Sequence, residues 1–165
     1  MTSCELILIR HAIAEERRIG LPEADRALTP RGIERFKALA RGYQHLKLRP
    51  KTIWTSPWQR AHQTAELLSE TFQHAEPEVK ADLAAPPTHA FLEAMHGGLS
   101  PLILVGHEPW LTELAGLLTI GRLESSILLK KGGLIWLSGT PKVAGMFTKI
   151  VLAPATTLKL LDTRG

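Results

Sequence analysis

Short, unbroken apolar runs alternate along this chain with longer stretches in which apolar residues recur every three or four positions. The first run, Leu6-Ile7-Leu8-Ile9, lies within Cys4 to Ala12 and offers no polar residue to either face of a strand. Both faces of such a strand must be buried, as in the centre of a parallel α/β sheet. Leu102 to Val105 repeats the pattern. Between these runs the spacing predicts helices. Ile33, Phe36, Ala40, Tyr43 and Leu46 follow Thr29-Pro30, and Ala61, Ala65, Leu68 and Phe72 follow Ser56-Pro57. In both places a hydroxyl residue is expected to cap and the proline to occupy the first helical position. Gly32 and Gly42 weaken the first helix slightly.

Leu111, Leu114, Ala115 and Leu118 after Glu108-Pro109 predict a further helix, and Thr88 to Met95 a short one. Thr52 to Thr55 reads as a short strand, and another is expected around Val79 in the proline-rich stretch 73–87. Leu134 to Leu137 and Met146 to Leu152, joined across a Gly-Thr-Pro segment, read as antiparallel strands at one side of the sheet. The expected architecture is a three-layer α/β sandwich. It has a mostly parallel central sheet, helices on both faces and antiparallel strands toward the C-terminus. No internal repeat, linker or low-complexity segment interrupts it, so residues 1–165 are expected to form one domain.

Composition narrows the function more than the fold. A net charge of +4 suits an anionic substrate but comes with no basic run interleaved with aromatics, so nucleic acid is not an expected partner. No apolar run approaches the roughly 18 residues of a membrane span. The first is too short for a signal peptide and is broken by charge, which makes the cytoplasm the expected compartment. The single cysteine, Cys4, reads as a small apolar strand residue.

The chemistry lies where the apolar runs stop. Arg10-His11 ends the first strand, Ser56 follows the second with Arg60 one helical turn on, and Gly106-His107 ends the Leu102 run. Alone, Arg10-His11 could be a strand reaching its polar end, and Arg60 a solvated helix arginine. In a parallel sheet, however, all three strand ends open on the same edge, where α/β folds place ligands. Two arginines and two histidines there make a compact cationic pocket suited to a phosphoryl group, with helix starts adding positive dipole ends. His62, His74, His89 and His96 have no partners in the sequence pattern and read as surface or packing residues, and His45 as a helix-terminal one. His107-Glu108 lacks the second histidine of a metallohydrolase motif, so no metal site is expected.

Arg10-His11-Ala12, Leu28-Thr29-Pro30-Arg31-Gly32, Thr55 to Ala61 with Thr64-Ala65, and Val105-Gly106-His107 together resemble the histidine-phosphatase, or phosphoglycerate-mutase-like, superfamily. Ala12 stands where that family usually has glycine. The resemblance implies a covalent phosphohistidine mechanism in which His11 attacks phosphorus. Arg10, Arg60 and His107 bind the phosphoryl oxygens, and neither cofactor nor metal is required. Larger members of the family insert a lid after the second arginine. The 47 positions from Arg60 to His107 are nearly filled by the expected elements, which predicts an open site like that of the small bacterial phosphohistidine phosphatases. The implied partner is a phosphorylated histidine-containing protein of a phosphorelay or phosphotransfer system. A small phosphomonoesterase for a sugar, nucleotide or cofactor phosphate and a non-catalytic phospho-binding module are the alternatives. Glu108 carries two readings, proton donor to the leaving group or helix cap held ionised. Glu15, Glu16 and Asp25 are the other carboxyl candidates.

Overall fold

The computed structural model describes residues 4–95, 100–123 and 127–139, and the backbone of 147–153. His96, Met146 and the Thr140-Pro141 part of the expected connection lie outside the described residues. The strands are β1 (Cys4–Arg10), β2 (Thr52–Thr55), β3 (Glu78–Val79), β4 (Leu102–Gly106), β5 (Leu134–Gly139) and β6 (Phe147–Ala153). The helices are α1 (Pro30–His45), α2 (Gln59–Phe72), α3 (His89–Met95) and α4 (Trp110–Ile120), with short 3-10 turns at Glu23–Asp25 and Ala81–Ala84. The six strands form one sheet in the order β3-β2-β4-β1-β5-β6. β1 runs parallel to β4 and antiparallel to β5, β4 is parallel to β2, and β5–β6 is an antiparallel pair. The α/β class and the antiparallel C-terminal edge are as expected, and β1 is interior, although it is parallel to only one of its neighbours.

Two apolar layers explain the unbroken runs. Ile7 and Ile9 of β1 and Ile103 and Val105 of β4 point to one face, where they meet Phe36, Tyr43, Ala61, Ala65 and Leu68 of α1 and α2. Leu6, Leu8, Leu102 and Leu104 point to the other, against Phe91 of α3 and Leu111, Leu114 and Leu118 of α4. Each strand therefore buries both sides, and four consecutive apolar residues are what that requires.

The start of α1 does more than open a helix. Thr29 caps it as expected, its hydroxyl accepting from the Gly32 amide at 2.9 Å. The Thr29 amide donates to the Ile13 carbonyl at 3.0 Å. A Cβ on Gly32 would collide with that same carbonyl. Gly32 is thus the residue that lets α1 close onto the segment leaving His11.

At α2 the expectation needs correction. The helix begins at Gln59 with Trp58 as its cap residue, and no side chain caps it. Ser56 is instead turned toward the strand ends.

Candidate active site

Backbone hydrogen bonds bring the three strand ends to one edge. Arg10 pairs with Gly106 and Thr55 with Val105 in the parallel registers. Just beyond, the His11 amide donates to the Gly106 carbonyl at 3.1 Å and the Ser56 amide to the Val105 carbonyl at 3.0 Å. His11, Ser56 and His107 therefore leave adjacent strands side by side, and all three are buried. Arg60, the second residue of α2, is 3% exposed, so it belongs to this edge and not to the solvated face of its helix.

His11 is oriented through both ring nitrogens. Its Nδ1 lies 2.7 Å from the Ala12 carbonyl, and since a carbonyl only accepts, Nδ1 carries the proton. Nε2 is then left with its lone pair, which accepts a hydrogen bond from Arg60 Nε at 3.2 Å. The Ala12 amide in turn donates to the Thr64 hydroxyl at 3.0 Å, and that hydroxyl donates to the Arg60 carbonyl at 2.6 Å. The Thr64 of the sequence motif thus ties the segment after His11 to the turn that carries Arg60.

The His107 ring lies 5.1 Å from that of His11, centroid to centroid. Its Nε2 is hydrogen-bonded to the Ser56 hydroxyl at 2.8 Å, while its Nδ1 is buried without a partner. Arg10 donates from Nη1 to the Leu129 carbonyl at 2.8 Å and also leaves its Nε buried and unpartnered. Buried polar groups without partners are rare and call for an explanation. An arginine Nε–H and an imidazole nitrogen beside the same strand ends suit the oxygens of a bound anion.

The electrostatics favour neutral imidazoles. Burial is the largest influence on His11, the Ala12 hydrogen bond opposes it, and the charges of Arg60, Arg10 and Lys131 add to burial, so that His11 is pushed down to about 3. Burial, then His11, Arg60 and Arg10, push His107 down to about 2. Burial also lowers Arg10 and Arg60, which stay cationic across the physiological range.

Glu108 departs from the capping expectation. Pro109 takes the cap position of α4 and makes no side-chain cap bond itself. The Glu108 carboxylate does meet the first turn, accepting from the Thr112 hydroxyl at 2.6 Å, but its other oxygen is buried without a partner. Burial outweighs the bonds to Thr112 and the charge of Arg10, and raises its pKa above the usual carboxylate value. Of the other carboxyl candidates, Glu16 and Asp25 are exposed and Glu15 is partly buried.

Three contributors escaped the sequence reading. Glu23 forms an ion pair with Arg60, its Oε1 lying 2.9 Å from Nη2. Trp58 packs between the site's groups, its ring centroid 4.4 Å from that of His107 and 4.7 Å from the Arg60 guanidinium. Lys131 comes from the loop before β5 and adds to the positive field on His11. Trp58 could have been found, because it lies inside the Ser56-to-Arg60 motif. Glu23 carried no signal in a polar loop without periodicity. Of the other histidines, His45 and His89 are exposed, and His62 and His74 are partly buried. Among the described residues no three histidine, cysteine or acidic side chains cluster as metal ligands.

Comparison with known proteins agrees with this frame. Residues 6–84 match the family model of the histidine phosphatase superfamily (branch 1). An uncharacterized protein of Picosynechococcus sp. is 37% identical over 145 residues, covering 84% of this chain and 88% of its own. Among solved structures, the protein histidine phosphatase SixA complexed with tungstate superposes with a TM-score of 0.73 at 21% identity, over 90% of this chain and 96% of that one. Phosphoserine phosphatase of Entamoeba histolytica in complex with 3-phosphoglyceric acid superposes at 0.66 and 17% identity, over 92% and 98%. Fold and family together define an α/β phosphatase. The chain belongs to the histidine phosphatase superfamily.

Proposed function

We propose that this phosphatase hydrolyses phosphohistidine on another protein through a phosphohistidine intermediate of its own, formed on His11. The observation that carries the reading is the orientation of His11. Nδ1–H is committed to the Ala12 carbonyl, and the Nε2 lone pair faces the buried Arg60 guanidinium. A neutral imidazole held this way is a nucleophile with its reactive nitrogen already aimed. Nε2 attacks phosphorus, the bond from phosphorus to the substrate's imidazole nitrogen breaks, and the electron pair leaves on that nitrogen, which takes a proton. Water then attacks phospho-His11 and releases inorganic phosphate.

Catalysis in such a transfer is mostly positioning and charge stabilisation. Arg60 Nε–H passes from His11 Nε2 to a phosphoryl oxygen as the phosphate arrives. The unpartnered Arg10 Nε and His107 Nδ1 supply further donors. These charges neutralise the phosphoryl group without a metal. The partner is a phosphorylated histidine-containing protein, such as a phosphorelay component. Trp58 and Trp110 are partly exposed beside the strand ends, which suits a phosphate presented on a protein surface.

A second reading, a small phosphomonoesterase, is favoured by the placement of Glu108: it follows His107, one of its carboxylate oxygens is buried without a partner, and burial raises its pKa, as suits a group that gives a proton to an alkoxide.

The test compares a phosphohistidine protein, free phosphohistidine and several alkyl phosphates. Preferred turnover of the phosphohistidine protein is expected, and preference for the esters would move the assignment to the second reading. Quenched in mid-reaction, the wild-type enzyme should carry an acid-labile, base-stable phosphate on His11. His11→Ala should be inactive, and substantial turnover by that variant would end the covalent mechanism.

A further inference from the structure

We infer that Glu23 is the positioning residue that turns Arg60 toward the nucleophile. This rests on the reading of Arg60 as a phosphate ligand. Arg60 has three nitrogens to place, and Glu23 takes two of them. Nη1 donates to the Glu23 backbone carbonyl at 2.6 Å and Nη2 to its Oε1 at 2.9 Å. A guanidinium is planar and rigid, so fixing both terminal nitrogens fixes the direction of the third. That third nitrogen, Nε, points at His11 Nε2 from 3.2 Å.

The grip on Arg60 is itself supported. The same Glu23 Oε1 accepts from Arg26 Nη1 at 2.6 Å. Arg26, whose side chain is only 13% exposed, is anchored by Nε and Nη2 on the Glu15 carbonyl at 2.8 and 2.6 Å. Arg17 reaches the other oxygen at 3.0 Å but is 81% exposed, and an ion pair so open to solvent adds little. The relay therefore runs from the Glu15 carbonyl through Arg26 and Glu23 to Arg60 and His11. Burial by itself would raise the Glu23 pKa, but the bonds from Arg17 and Arg26 and the charge of Arg60 together lower it, so Glu23 remains a carboxylate. When phosphate binds, Arg60 keeps its terminal nitrogens on Glu23 and gives its Nε edge to a phosphoryl oxygen. Without the Glu23 carboxylate, Nη2 loses the one charged hydrogen-bond partner it has among the described residues, a single backbone-carbonyl bond through Nη1 is left to hold the guanidinium, and its Nε can swing away from His11.

The experiment is a double-mutant cycle on the full chain, assayed with p-nitrophenyl phosphate and with free phosphohistidine. Glu23→Met keeps the side-chain length but removes the acceptor, and Glu23→Gln keeps an oxygen for Nη2. Glu23→Met is expected to lower kcat by about 10-fold or more, as misplacement of a reacting group does. Glu23→Gln should recover most of that loss. Glu23→Met combined with Arg60→Ala should be no slower than Arg60→Ala alone, because both changes disable one unit. Melting midpoints of the variants are measured alongside. A role confined to loop stability would lower the midpoint but leave the two mutations additive in kcat. Wild-type kcat in Glu23→Met, or additivity with Arg60→Ala, overturns the inference while leaving the site reading intact. Wild-type kcat in Arg60→Ala overturns the site reading and the inference with it.

Discussion

Under the proposed function, Glu108 is the side chain at which two kinds of substrate can be told apart. Expelling an alkoxide requires a proton from the enzyme, whereas an imidazole leaving group, with an ordinary pKa of about 6.5, can take its own proton near neutrality. Glu108 lies next to His107, with one oxygen on Thr112 and the other buried and unpartnered. Its raised pKa leaves more of the protonated form than an exposed carboxyl would have. Glu108→Gln is therefore expected to leave phosphohistidine hydrolysis within about 3-fold of wild type. The same change should slow alkyl phosphates by about 10²- to 10⁴-fold, the usual range for loss of a general acid. The measurement is kcat/KM across a series of leaving groups of rising pKa. A large loss on phosphohistidine itself would contradict the proposed leaving-group chemistry. Sequence showed that Glu108 stands at a helix start, but its pKa depends on burial by α4 and neighbouring loops, which no local pattern reports.

At the scale of elements, α1 closes tightly onto the segment that follows β1. Gly32 lies against the Ile13 carbonyl so closely that an added methyl group would collide. Helix propensity alone favours Gly32→Ala by up to about 1 kcal/mol. The close approach argues the other way, because accommodating the methyl must displace the chain two residues from His11. Gly32→Ala is expected to destabilise the protein by about 1–3 kcal/mol net, as overpacking does, and urea unfolding measures it. A stabilised variant would show that the contact is slack. The glycine read as a weak point of the helix is thus explained by tertiary packing. Ser56 teaches the same lesson. Its Ser-Pro pattern reads as a helix cap, yet its hydroxyl is engaged with His107, and α2 starts three residues later. Strand runs and helical faces were legible because burial on one or two sides leaves a period in the sequence. The Glu23–Arg60 pair, 37 residues apart, leaves none.

For the whole molecule, the two buried histidines make stability depend on pH. In the native state His11 and His107 lie at about 3 and about 2, while in the unfolded chain both return to about 6.5. Between those values the unfolded chain binds protons that the native one refuses, so stability rises with pH there. The full value is present above about 6.5 and is lost as pH falls. Each histidine contributes a slope of up to about 1.4 kcal/mol per pH unit within the window. The urea midpoint is expected to fall between pH 7 and pH 5, and the fall should be shallower in His11→Asn/His107→Asn. Equal midpoints at the two pH values would mean that the imidazoles titrate normally in the folded protein. Free-enzyme kcat/KM, corrected for the substrate's own ionisation, should accordingly show no acid limb near 6.5.

The strand ends are joined by main-chain bonds: His11 to Gly106, Ser56 to Val105, and the Gly132 amide to the Arg10 carbonyl. Such bonds take no notice of which side chain a residue carries. The frame can therefore be the same while most side chains on it differ, and structures only 17–21% identical still superpose over at least nine-tenths of this chain. Side chains in the loops around the strand ends can change without disturbing that backbone frame.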